Sequence, residues 1–372
     1  MKYSVVLPCF DEAKTIGICI NKAKTILGKN AEVIVVDNNS TDDSADVAKK
    51  LGARVIRERK QGYGAALLRG FKEAQGEYII ICDADNTYDL NELPKLIKFQ
   101  GNDIVIGNRF NKNMQHDSMT LLHRYVGNPI LSFILRVFFN SKTKDTHSGF
   151  RMIKRSALDR MHLSSSGMEI ASEMILKAAK LKLKVKEVSI SYYKRQGQSK
   201  MKSIRDGWKH LRLMLLYSPD YLYLGPGFAS FLIGLIFLII FMFGPLEING
   251  LKFLIHPMFI ASLLTILGYQ IISLWLFSRI YLLTYLDDRD KKMDRLLSYM
   301  SLERGLVIGL ILFLVGIIIN INTLIVWVNS HYGALYDLRA SIFGLTLILL
   351  GLQTVFSSFY LSILGMKNEQ KK

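Results

Sequence analysis

Two patterns of hydrophobic residues divide the chain. From Met1 to about Ser218 the apolar runs are short and broken by charge, whereas beyond Tyr221 they become long enough to cross a bilayer. In the first part, β-branched runs at Ser4–Leu7, Glu32–Val36, Arg54–Ile56, Tyr78–Cys82 and Asp103–Ile106 predict strands. Helical periodicity begins near Ala13, Asp42, Tyr63 and Asn91 between them. This alternation predicts an α/β domain, a Rossmann-like and mostly parallel sheet with helices on both faces. In the second part, spans are predicted at Leu222–Phe243, Phe253–Tyr281, Gly305–Val328 and Ala340–Met366, each at or above the ~20 residues that a ~30 Å hydrocarbon core requires. The expected divisions are a soluble domain over 1–199, a juxtamembrane helix over 200–220, a four-helix transmembrane domain over 221–366 and a basic tail over 367–372.

The joint between the halves has a pattern of its own. In Lys200–Tyr217, Ile204, Trp208, Leu211 and Leu215 fall on one helical face, and Lys202, Arg205, Lys209 and Arg212 occupy much of the rest. A helix lying on the bilayer surface fits this pattern, and an amphipathic helix packed on the domain is the plainer alternative. Tyr125–Phe139 is apolar around most of its circumference yet too short to span, which leaves buried and interfacial placements both open.

Charge sets the orientation. The connection from Leu282 to Arg304 carries Arg289, Lys291, Lys292, Arg295 and Arg304, and the tail adds Lys367, Lys371 and Lys372, while the other links offer Lys252 and Arg339. Positive residues favour the cytoplasmic side, so the soluble domain and C-terminus are expected inside a multi-pass plasma (inner) membrane protein. Met1–Pro8 reads as a strand and not as a leader peptide. The net charge of +17 fits anionic headgroups and anionic substrates, and nucleic acid is not expected as a partner. Cys9, Cys19 and Cys82 lack framework spacing and read as reduced core thiols.

Ligands of open α/β sheets sit beyond the carboxyl ends of the strands. Those ends read Pro8-Cys9-Phe10-Asp11-Glu12, Asp37-Asn38-Asn39-Ser40, Asp83-Ala84-Asp85 and Gly107-Asn108-Arg109. Two carboxylates one residue apart, at the end of an apolar strand, offer hard oxygen donors suited to Mg²⁺ or Mn²⁺ shared with a diphosphate. Such a pair also caps helices, and Asp37 has the same plain reading; Asn38, Asn39 and Ser40 are taken to supply the cap, leaving Asp37 for a ligand.

The ordered set Val-Val-Leu-Pro with Asp11-Glu12, Val-Val-Asp37-Asn-Asn-Ser, Gly62-Tyr-Gly64-Ala-Ala with Gly70, Asp83-Ala-Asp85, Gly107-Asn-Arg109, Ser148-Gly149-Phe150 and Gly197-Gln-Ser199-Lys200 resembles the family 2 glycosyltransferases of GT-A fold. Within these it is most similar to the dolichyl or undecaprenyl phosphate sugar synthases. The resemblance spans nearly all of residues 1–217. It implies that Pro8, Asp11, Glu12, Asp37, Gly62 and Asp83 line the nucleotide pocket, that Asp83 and Asp85 serve the metal, and that Arg109 and Arg124 meet the acceptor phosphate. Arg195, Ser199 and Lys200 match the segment that closes over the diphosphate, and Glu169 and Glu173 fall on the acidic helix below the donor sugar. Thr87 stands where relatives often carry a Gln ligand, which leaves a third metal contact open.

A nucleotide-sugar donor, UDP-linked by analogy with anchored relatives, and a polyprenyl phosphate acceptor, undecaprenyl or dolichyl, are the implied substrates. The lipid bilayer is a partner as well, and a homo-oligomer is compatible with the sequence. A lipid phosphate is already ionised, so no catalytic base is assigned, and inverting displacement by a phosphate oxygen is the expected chemistry. A processive polysaccharide synthase is the nearest rival, but the Q-x-x-R-W motif that such enzymes share is missing. A non-catalytic sugar-nucleotide sensor would be expected to have lost the acidic pair or the arginines. Arg279 is the main charge within the spans, so a polar translocation path is not evident.

Overall fold

A computed structural model describes residues 1–110, 114–115, 118–196, 203–248, 250–285, 299, 301–332 and 338–369. Gly197–Lys200, Lys202 and the cluster Arg289–Arg295 lie outside the described residues, as do Lys371 and Lys372. The chain divides into two compact units, Met1–Leu216 and Tyr217–Lys372.

The first unit is built on seven strands: β1 (Tyr3–Cys9), β2 (Ala31–Asp37), β3 (Arg54–Arg57), β4 (Tyr78–Ile81), β5 (Ile104–Asn108), β6 (Arg151–Lys154) and β7 (Val185–Ser189). Their order is β3-β2-β1-β4-β6-β5-β7, all parallel to their neighbours except β6, which runs antiparallel to β4 and β5. The five predicted strands are all present. β6 and β7 were not foreseen, because Arg-Met-Ile-Lys is short and charged at both ends and Val-Lys-Glu-Val-Ser is a half-exposed edge. The central strands are buried and read as continuous apolar runs, as strands covered on both faces must.

Helices α1 (Ile16–Leu27), α2 (Ser44–Lys50), α3 (Tyr63–Glu73) and α4 (Leu93–Ile97) follow the first strands, and α5 (Asn128–Phe139), α6 (Arg155–Met161), α7 (Ile170–Lys180) and α8 (Ser203–Leu216) come later. Gly70 lets α3 approach the sheet, since a Cβ there would run into Val6 and Val36. A π-helical turn, Leu122–Gly127, leads into α5. Val126, Ile130, Phe133 and Val137 form an exposed stripe, whereas Ser132 and Leu135 face inward, so the helix is neither buried all round nor polar outside. α8 likewise has two faces: His210 and Met214 are buried, and Ile204 (86% exposed) and Trp208 (58%) point outward.

The second unit holds α9 (Gly225–Phe243), a small hairpin of β8 (Leu246–Ile248) and β9 (Leu251–Phe253), α10 (His256–Tyr285), α11 (Leu302–Asn329) and α12 (Leu338–Glu369). Four helical stretches are long and apolar enough to cross a membrane: Asp220–Phe243, His256–Thr284, Leu302–Asn329 and Leu338–Gly365. Glycines set their pairing. A Cβ at Gly309 or Gly316 of α11 would strike the backbone at Gly351 or Gly344 of α12, and one at Gly268 of α10 would strike Phe231 and Gly227 of α9. Side-chain hydrogen bonds join α10 to α12, Ser262 to Thr346 at 2.7 Å and Tyr269 to Thr354 at 2.6 Å. Arg279 is not alone: its Nε lies 3.4 Å from Asp220, which also accepts a 2.6 Å bond from Trp275.

Candidate active site

Strand register brings the acidic segments to one rim. Cys9 pairs with Asp37 across β1 and β2, and Val6 pairs with Ile81 across β1 and β4, so Pro8–Glu12, Asp37 and Asp83–Asp85 leave the sheet side by side. Thr15, at the start of α1, donates 2.8 Å to the Ala84 carbonyl and fixes the acidic turn against α1.

Each carboxylate of the pair is held differently. Asp83 accepts a 2.8 Å bond from the Tyr63 hydroxyl, and Gly149 packs so close to its carboxylate that a Cβ would collide with it. Burial, and then the neighbouring Asp85, push its pKa up to about 6. On Asp85, Oδ1 accepts from the Thr87 amide at 3.0 Å and hydroxyl at 2.6 Å, and Oδ2 lies 3.2 Å from Arg195 Nη1. Thr87 therefore orients Asp85. Arg195 also pairs with Glu12, so one guanidinium joins two carboxylates from different strand ends. It is delivered by the segment after β7, which is tied down where Tyr193 donates 2.9 Å to the Thr87 carbonyl and Tyr192 packs edge-on against Tyr88.

The rest of the rim is braced by the loops. Asp11, at φ +50°, accepts from the Thr41 amide at 2.6 Å, and Asp37 accepts from the Ser40 amide at 3.1 Å. Asn38 and Asn39 do not cap α2, contrary to expectation. Asn38 donates to the Glu58 and Lys60 carbonyls and accepts from Gly62, and Asn39 donates to Arg59, so both hold the loop before α3. Gly62, at φ +149°, sits where a Cβ would meet the Ser166 carbonyl.

The expected phosphate and sugar residues separate. Arg109 forms a buried bidentate pair with Asp145, Nε at 2.9 Å and Nη2 at 2.8 Å, and its guanidinium lies 5.2 Å from the Tyr192 ring centre. Arg124 sits half-buried on the π-helical turn, 5.4 Å from the Tyr125 ring centre, without an ion pair among the described residues. Glu173 is fully buried and braces the loop at Ser164 and Ser165 together with Lys177, which leaves it no open oxygen for a sugar. Glu169 differs: its Oε2 is buried beside Gly167 with no hydrogen-bond partner. The sequence reading missed Tyr63 and Asp145. Tyr63 stood inside the quoted Gly-Tyr-Gly, and Asp145 lies just ahead of Ser148-Gly149-Phe150, but neither contact has a sequence period to announce it.

Comparisons with known proteins agree with this architecture. Residues 4–161 match the glycosyl transferase family 2 profile, and residues 276–365 match the glycosyltransferase family 2 C-terminal transmembrane region. The chain is 38% identical to the low-salt glycan biosynthesis hexosyltransferase Agl6 of Haloferax volcanii, over 97% of this chain and 89% of that protein. It is 29% identical to a dolichyl-phosphate hexose transferase of the same organism, over 55% of this chain and 88% of that one. A crystal structure described as a mycobacterial protein superposes with a TM-score of 0.50 at 21% identity, covering 58% of this chain and 74% of its own, a likeness of fold. With a mostly parallel sheet, an acidic pair at the end of β4 and near full-length similarity to a hexosyltransferase, this chain belongs to glycosyl transferase family 2.

Proposed function

We propose that this glycosyltransferase moves a hexose or N-acetylhexosamine from a nucleoside diphosphate, UDP in preference to GDP, onto a polyprenyl phosphate at the cytoplasmic face of the membrane. The observation that carries the reading is the rim itself: Asp85 and Glu12 meet at Arg195, Asp83 stands two residues before Asp85 on the same turn, and the chain also holds four apolar helices of spanning length. Resemblance to polyprenyl phosphate sugar synthases supplies the acceptor. The exposed stripes of α5 and α8 fit a unit that works against headgroups.

The donor set suits Mg²⁺ or Mn²⁺. Among the described residues no three His, Cys, Asp or Glu side chains converge as a complete metal site, and such ions are commonly held by one or two carboxylates with diphosphate oxygens and water filling the other positions. Asp83 and Asp85 would hold the ion, which when bound offsets charge on the departing nucleoside diphosphate. In the displacement, an acceptor phosphate oxygen forms a bond to the anomeric carbon as the bond from that carbon to the diphosphate oxygen breaks, with inversion. The nucleophile arrives ionised, so the chain need supply positioning and positive charge and no base. Arg124 is the acceptor-phosphate residue in this reading. Arg109, tied to Asp145, lends positive charge near Asp83, and we assign Glu169, whose Oε2 has no hydrogen-bond partner, to a donor hydroxyl.

Purified protein given undecaprenyl or dolichyl phosphate, Mg²⁺ or Mn²⁺ and labelled sugar nucleotides should form a mild-acid-labile glycolipid. Sugar transfer that needs no lipid phosphate, or label recovered in a polymer, would overturn the reading. Arg124→Ala should weaken use of the lipid phosphate while leaving UDP binding nearly intact, and equal loss of both would remove Arg124 from that role.

A further inference from the structure

We infer that Arg195 holds the place of the divalent cation until the donor arrives, so that metal and nucleotide enter together and neither binds well alone. The inference rests on the proposed function and concerns how its donor site is loaded. Of the two Asp85 oxygens, Oδ1 is taken by the amide and hydroxyl of Thr87. Oδ2 is the oxygen left to face a cation, and Arg195 Nη1 already stands 3.2 Å from it. The same guanidinium reaches Glu12, which anchors it from the end of β1. One monovalent group thus bridges carboxylates where a divalent ion would be expected to bind, and a metal approaching Asp85 has to displace it.

The guanidinium has a reason to leave and room to do so. Its Nε is buried with no hydrogen-bond partner, so the bridged arrangement leaves one donor unsatisfied. Beside it opens a cleft of about 460 Å³ lined by Lys22, Asn86, Asp89, Gln115, Lys194 and Arg195. A diphosphate in reach of this cleft offers the planar donor set of Arg195 two anionic oxygens in exchange for two carboxylates. Metal alone provides no such exchange: it would take Asp85 from the half-buried guanidinium and leave it the Glu12 carboxylate in place of two. The coupling is therefore reciprocal, nucleotide raising metal affinity and metal raising nucleotide affinity by the same factor.

The test uses the full-length protein in nanodiscs, with Mn²⁺ binding followed by loss of the free-ion paramagnetic resonance signal, with and without UDP. Wild type should bind Mn²⁺ weakly alone and far more tightly with UDP. Arg195→Gln should bind Mn²⁺ alone about tenfold more tightly, the scale expected when one neighbouring charge is removed from a partly buried carboxylate, and the enhancement by UDP should shrink by at least that factor. Arg195→Lys, which keeps the charge, should stay near wild type. Unchanged or weaker binding of Mn²⁺ alone by Arg195→Gln, with UDP binding retained, overturns the inference and leaves the proposed function standing. Parallel loss of Mn²⁺ and UDP affinity in Arg195→Gln would reduce Arg195 to a structural brace and also overturns it. If wild type binds no Mn²⁺ even with saturating UDP, the functional reading fails first.

Discussion

The buried pair of Arg109 and Asp145 shows how one residue's chemistry is decided by a partner far away in sequence. Asp145 has no exposed surface, and it receives both the side chain and the backbone amide of Arg109. Arg109→Ala would strand that carboxylate in the interior, and a loss of about 3–5 kcal/mol in unfolding free energy is expected by denaturant titration. Arg109→Lys cannot restore the bidentate fork and should recover less than half of it. At the acidic turn, Asp85→Ala should remove nearly all transfer; activity within about tenfold of wild type, ~1.4 kcal/mol in barrier, would contradict its role. The acidic pair was legible because a D-x-D at the end of an apolar strand has one place to go in a parallel sheet. The occupation of Arg109 by Asp145 was not, since a separation of thirty-six positions along the chain carries no signal of the contact.

At the scale of elements, α5, α7 and α8 are joined by a buried relay of neutral groups. Ser132 meets Thr146 at 2.9 Å, Thr146 meets His147 at 3.0 Å, His147 meets Ser172 at 3.1 Å, and Ser172 meets His210 at 2.8 Å. Burial lowers the His210 pKa from 6.5 to about 4, and burial followed by its neighbour His210 holds His147 well below its ordinary value. The unfolded chain therefore takes up protons first, so this group's contribution to stability is present above pH 6.5 and is lost as pH falls toward 4. Asp83 acts in the opposite sense, its folded pKa of about 6 lying above the 3.8 of a free side chain. Comparing His210→Gln with wild type cancels the Asp83 part: the penalty of the substitution should shrink by about 2 kcal/mol between neutral pH and pH ~4.5, read from denaturation midpoints. The two faces of α8 also explain what the sequence could not decide. A surface helix and a packed helix share one pattern when the inward face is carried by a histidine and a methionine and the outward face by Ile204 and Trp208.

For the whole molecule, the span positions were readable from hydropathy to within a few residues, because length and apolarity are all that crossing a bilayer demands. The pairing of the spans was not, since lipid and leucine are equally apolar and only close approach at small residues selects a neighbour. Gly316→Val should separate α11 from α12 and lower the thermal midpoint of the detergent-solubilised protein, while the same change at Gly365, which has nothing near its Cβ position, should be silent. The outward ring of Trp208 gives the Met1–Leu216 unit a natural optical reporter, as the other two tryptophans, Trp275 and Trp327, belong to the second unit. With those two replaced by phenylalanine, quenching by lipids brominated near the carbonyl but not near the chain end is the outcome expected if Trp208 lies at the headgroups, and quenching by neither would put that face of α8 in water.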